Sequence, residues 1–140
     1  MILVHDFESY ETSIPELMDQ AGVSKQLSGQ TRILLKPNLV NASPFPVTTS
    51  AEFCRPIIEY IRSCSRAEII IAEGCGDSIF ETSELFVQLG YQSLAERYDV
   101  RLVDLNHEPV SRYTDSENPV FKEIYLPDLA FDSFVLSLPV

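Results

Sequence analysis

A chain of 140 residues, 45% hydrophobic and 22% charged, has the length and composition of one globular domain with a buried core. Ten Lys and Arg stand against 21 Asp and Glu, a formal net charge of -11. That balance excludes nucleic acid and anionic membranes as partners, because both demand a basic surface, but it leaves room for an anionic small molecule held by a few local donors.

The N-terminus, "MILVHDFESYE", meets acidic residues at once and lacks the basic stretch of a secretory signal. No segment reaches the roughly 20 apolar residues of a membrane span. The expected location is the cytoplasm. Cys54, Cys64 and Cys75 are odd in number and form no C-x-x-C pair. Neither a zinc ribbon nor a ferredoxin-type cluster can be assembled from them, so reduced thiols and no cofactor are expected in this chain.

In chain order, apolar runs that read as strands are "ILV", "RILLK", "AEIIIAE", "VRLVDL" and "SFVLSLP". Segments of helical spacing separate them. Strands apolar on both faces, alternating with helices, predict a three-layer, Rossmann-like α/β fold with a mainly parallel sheet between helices. The clearest helix carries Phe53, Ile57, Tyr60, Ile61 and Cys64 on one face, with Thr49 and Glu52 as a capping box and Pro56 expected to kink it. The next helix is expected to be capped by Ser78 with Glu81, to show Leu85, Phe86 and Leu89 on one face, and to stop at Gly90. After Asn106 two short β-like pieces, near Val110–Tyr113 and Val120–Leu126, flank the turn at Asn118-Pro119 and predict a hairpin before the last strand. The expected organisation is a single α/β domain over residues 1–140, forming the N-terminal part of a larger protein.

Parallel sheets bind ligands outside the carboxyl ends of their strands. At those ends this sequence places His5 and Asp6, then Lys36 and Asn38, then Glu73 with the turn Gly74–Ser78, then Asp104, Asn106 and His107. Lys36 can set an ammonium over the crevice for a carboxylate or phosphate, or simply extend out of the sheet. Asn38 offers an amide that donates and accepts, or satisfies its own turn. Thr48, Thr49 and Ser50 gather hydroxyls at a helix N-terminus, which suits an anion, although capping already accounts for Thr49.

"EGCGDS" can cradle a phosphate with the N–H groups of Gly74 to Asp77, or be a tight turn that needs its glycines. It is not the dinucleotide fingerprint, because Ile79 stands where the third glycine belongs and Asp77 would repel a pyrophosphate. Asp104 falls roughly where a ribose-binding acid would. Glu73, Asp77, Asp104 and Asn106 can be drawn together around a hard cation, but acids at strand ends more often serve as caps and turn formers, and no metal site is assigned. Cys75 reads as a bystander thiol, with Glu73 and Asp77 opposing its ionisation.

The runs "LLKPNLV", "TTSAEFCRPIIEYIR", "AEIIIAEGCGD", "LGYQSLAERYDVRLVDLN" and "FVLSLP", in that order from Ile33 to Pro139, resemble the prokaryotic domain of unknown function 362. Ala51 departs from the Pro that this family tends to carry before the helix-opening Glu. The resemblance supports Lys36, Asn38, Thr48 and Thr49 as ligand-binding residues, beside Gly74, Gly76, Asp77, Asp104 and Asn106 from the strand-end reading. Many members carry ferredoxin-like iron–sulfur modules, so it implies a cluster in a further C-terminal module and a ferredoxin-like module as partner. Three functions follow as expectations: binding of an anionic metabolite or phosphate group at the strand ends, a redox accessory role docking an iron–sulfur module, or a fragment of a nucleotide-dependent oxidoreductase.

Overall fold

Ile33, Leu34 and Leu35 of β1 (Arg32–Pro37) and Ile69, Ile70 and Ile71 of β2 (Glu68–Glu73) are all buried, so neither face of the two strands meets solvent. Each such side chain contributes about 1.5–3 kcal/mol relative to exposure. The computed structural model, which describes residues 2–140, has these two strands at the centre of a four-stranded parallel sheet in the order β3-β2-β1-β6. The outer strands are β3 (Arg101–Asp104) and β6 (Phe134–Leu138). Ile33 lies opposite both Ile69 and Phe134, and Glu73 lies opposite Asp104.

The two faces of the sheet are covered unequally. Ile33, Leu35, Ile69, Ile71 and Leu138 pack under α1 (Tyr10–Gln20), α2 (Val23–Leu27), α3 (Ala51–Cys64), α4 (Thr82–Gln88) and α5 (Tyr91–Tyr98) in the main core. Leu34, Ile70, Ala72 and Val103 face the other way onto Leu129 of α6 (Asp128–Phe131), a much smaller cluster. The expected three-layer, mainly parallel α/β architecture is therefore present. The hairpin is present too, as β4 (Val110–Thr114) paired antiparallel with β5 (Glu123–Pro127).

Three local expectations shift. "ILV" forms no strand: the chain runs irregularly up to Ser9, which caps α1 by accepting the N–H of Thr12. Short apolar runs do not distinguish a strand from an irregular apolar segment, and this one finds no partner strand. α3 is capped by Ser50 and not Thr49, whose hydroxyl is engaged elsewhere, and α3 runs unbroken through Pro56 to Cys64. α4 begins at Thr82, later than Ser78 suggested, because Asp77 takes the N–H of Ile79 in a local turn and Glu84 takes the N–H of Glu81. Gly90, at φ 83, ends α4 as expected, and its left-handed backbone also opens α5, a helix not resolved from sequence.

Candidate functional site

The sheet changes direction of growth at β1: β2 and β3 are added on one side, and β6 on the other. In open parallel sheets the crevice outside such a switch point is the usual ligand position. Here that position is just beyond Pro37, Glu73, Asp104 and Leu138, at the four carboxyl ends. Lys36, Asn38, Gly74, Gly76, Asp77, Asp104 and Asn106 all lie at or just past those ends, so the sequence-derived candidates share one edge.

Most of them are occupied with holding that edge together. Thr49 is buried; its hydroxyl accepts the N–H of Asn38 at 2.9 Å and donates to the carbonyl of Leu138 at 2.7 Å, joining the ends of β1 and β6. Its own N–H bonds the carbonyl of Asn38, and its carbonyl receives the hydroxyl of Tyr91 at 2.6 Å. Asn38 Nδ2 donates to Val47, and the buried Thr48 hydroxyl donates to Ser43. These bonds leave the amide and both hydroxyls directed at the protein rather than into the crevice.

The glycine turn is similar. A Cβ on Gly74 would lie 2.2 Å from Asn106 Oδ1, so the glycine exists to let Asn106 approach, and Asn106 Nδ2 then donates to the carbonyl of Cys75 at 3.0 Å. The N–H of Cys75 goes to Thr82 Oγ1. Gly76 has open space around it. Cys75 Sγ lies 3.3 Å from the carbonyl of Phe80, and burial pushes the more deeply placed Cys54 thiol up to about 12.

Asp104 accepts the N–H of Asn106 and pairs with His107 Nδ1 at 2.9 Å. Glu81 joins them, with one ligand-type atom from each residue within 4.8 Å of the others. Glu73, Asp77 and Asp104 do not converge as a three-acid cluster among the described residues.

One pair stands apart. Lys36 Nζ lies 2.6 Å from Glu73 Oε2; the lysine side chain is 44% exposed and the glutamate side chain 11%. Glu73 Oε2 is fully enclosed, and the Lys36 ammonium is its one partner among the described residues. Burial pushes the Glu73 carboxyl above its ordinary value, and the Lys36 ammonium only partly offsets that. Glu73 was absent from the ligand-binding residues expected from sequence. Its signal was present: an acid closing an otherwise apolar strand beside the strand that carries Lys36.

At the N-terminus of α3, an apolar cleft of about 440 Å³ is lined by Phe7, Tyr10, Phe45, Phe53, Pro139 and Val140, with Thr49 and Ser50 at its polar side. Among the described residues no helix is long and apolar enough to cross a membrane.

Residues 33–140 match the family described as "Domain of unknown function (DUF362)". The chain belongs to that family. Comparison with curated proteins and with solved structures gives no match. Within this DUF362 chain the matched region begins inside β1 and takes in every strand of the sheet, including the whole carboxyl edge.

Proposed function

We propose that the carboxyl edge of the sheet binds a small anionic molecule carrying a carboxylate or phosphate, and that Lys36 is the group that receives it. The observation that carries this reading is the half-exposed Lys36 ammonium seated over the buried Glu73 carboxylate at the switch-point edge. An ammonium in solvent contact at the rim of a crevice can exchange its partner for an incoming anion without being dragged out of a core. Asn38, Thr48, Thr49, Asn106 and the Gly74–Asp77 turn support this reading as the frame that holds the rim in shape.

The test is thermal unfolding of the wild type and Lys36→Met in phosphate, sulfate and a series of dicarboxylates. Stabilisation of the wild type by at least one anion, lost in Lys36→Met, supports the reading. Equal response of both proteins contradicts it. The double variant Lys36→Met/Glu73→Gln, which removes both charges, shows whether the single variant is simply misfolded.

A second reading, docking of a ferredoxin-like module or other partner, draws support from the opposite end of the molecule's polarity. Val110, Val120, Phe121, Ile124, Tyr125 and Phe131 are exposed on and around the hairpin and α6, an unusual concentration of apolar side chains in solvent. Weakened association with a purified ferredoxin-like protein in Phe121→Ser/Tyr125→Ser, with the fold unchanged, is its expected signature. The third expectation, dinucleotide binding, loses ground because the turn after β2 is long and two of its N–H groups are already bonded, that of Cys75 to Thr82 at the start of α4 and that of Ile79 to Asp77.

A further inference from the structure

Resting on the anion-binding reading of the same edge, we infer that capture of an anion by Lys36 is coupled to uptake of one proton by Glu73. The ligand takes the ammonium as its counter-charge, and the carboxylate left behind accepts a proton from solvent.

Charge neutrality drives the coupling. In the unliganded protein Lys36 and Glu73 cancel, so the rim exerts little net pull on an anion. Protonating Glu73 removes the internal competitor and leaves a full positive charge at the rim. Conversely, an anion drawn to Lys36 strips the buried carboxylate of its one cation, and a buried carboxylate without a partner is neutralised by a proton.

Among the described residues, no other group on the surrounding elements can replace Lys36. From α5, Tyr91 already donates its hydroxyl to the carbonyl of Thr49, and burial keeps the phenol protonated. From α3, Cys54 is a protonated buried thiol directed at Tyr91. On β3, Asp104 is the register partner of Glu73 and brings a like charge, itself paired with His107. In the following loop, the N–H of Leu105 goes to the backbone carbonyl of Glu73 and not to its side chain. On β1, Lys36 is the only cation in contact.

The test is calorimetric titration of the whole chain with sulfate, whose own charge is constant across the range, from about pH 5 to about pH 8. Wild-type affinity is expected to rise as pH falls, by about tenfold per pH unit where Glu73 is ionised in the unliganded protein and protonated in the complex. Titrations in two buffers of different ionisation enthalpy should report close to one proton taken up per sulfate. Glu73→Gln should bind with a pH-independent affinity matching the wild type's low-pH limit and take up none. His107→Gln should keep the wild-type profile. A Glu73→Gln protein that retains the wild-type pH profile overturns the coupling while leaving anion binding intact. Absence of sulfate binding in every protein at every pH overturns both.

Discussion

Thr49 and Glu73 are two buried polar side chains on one edge of one sheet, and they are treated in opposite ways. Thr49 satisfies its hydroxyl twice over, accepting from Asn38 and donating to Leu138. Glu73 has an enclosed oxygen whose single partner among the described residues is the half-exposed Lys36 ammonium. A saturated buried group rigidifies, whereas an unsaturated one keeps free energy in reserve for a change of partner. The edge therefore combines a fixed clasp, where β1 meets β6, with a half-exposed ion pair, where β1 meets β2. The difference marks the first as structural, and it is the second on which the proposed anion binding rests.

The strongest way to break this comparison is to remove the clasp. Thr49→Val keeps the shape but strands the N–H of Asn38 and the carbonyl of Leu138, and should cost about 3 kcal/mol, since each unmet buried group costs about 1–3 kcal/mol. Urea unfolding measures it, and Thr49→Ser should recover most of the loss. Failure of Thr49→Val to destabilise would mean that the strand ends are held by packing alone.

Gly74→Ala comes next. The new methyl would meet Asn106 Oδ1 and press on its backbone nitrogen at 3.1 Å, so Asn106 must release Cys75 to make room. Overpacking of this kind costs about 1–3 kcal/mol. The same unfolding experiment on Gly76→Ala, where space is open, should show a much smaller change.

The smallest effect sharpens the other half of the comparison. Because the Glu73 carboxyl is raised above the ordinary 4.5 by burial, the folded protein holds, between the unfolded and folded midpoints, a proton that the unfolded chain has already released. Wild-type stability attributable to this group is therefore full below about 4.5 and declines as pH climbs through the folded midpoint. Glu73→Gln lacks that decline, so the variant should gain on the wild type as pH rises and the difference should level off above the midpoint. A difference in Tm that does not change with pH would place Glu73 among ordinary solvated acids.

The sequence made the frame legible and left the pair obscure, for physical reasons. Runs such as Ile33–Leu35 and Ile69–Ile71 announce buried strands because hydrophobic patterning is local, and the hairpin was visible in its turn residues. Strand ends could also be located, so Lys36 and Asp104 could be placed on one edge. What a hydroxyl or amide does there depends on residues far away in the chain: Thr49 reaches Leu138, and Asn106 reaches Cys75. Such partners have no sequence signature, and a local capping pattern pointed Thr49 towards its own helix. Glu73 was placed at a strand end but not among the ligand-binding residues for a related reason: its burial beside a single half-exposed cation is a matter of packing.

The most direct measurement is an NMR pH titration of the Glu73 side-chain carboxyl carbon, without and with saturating sulfate. The account predicts a midpoint above the ordinary glutamate value in the protein alone, and a further upward move when sulfate occupies Lys36. A midpoint at or below the ordinary value, indifferent to sulfate, contradicts it.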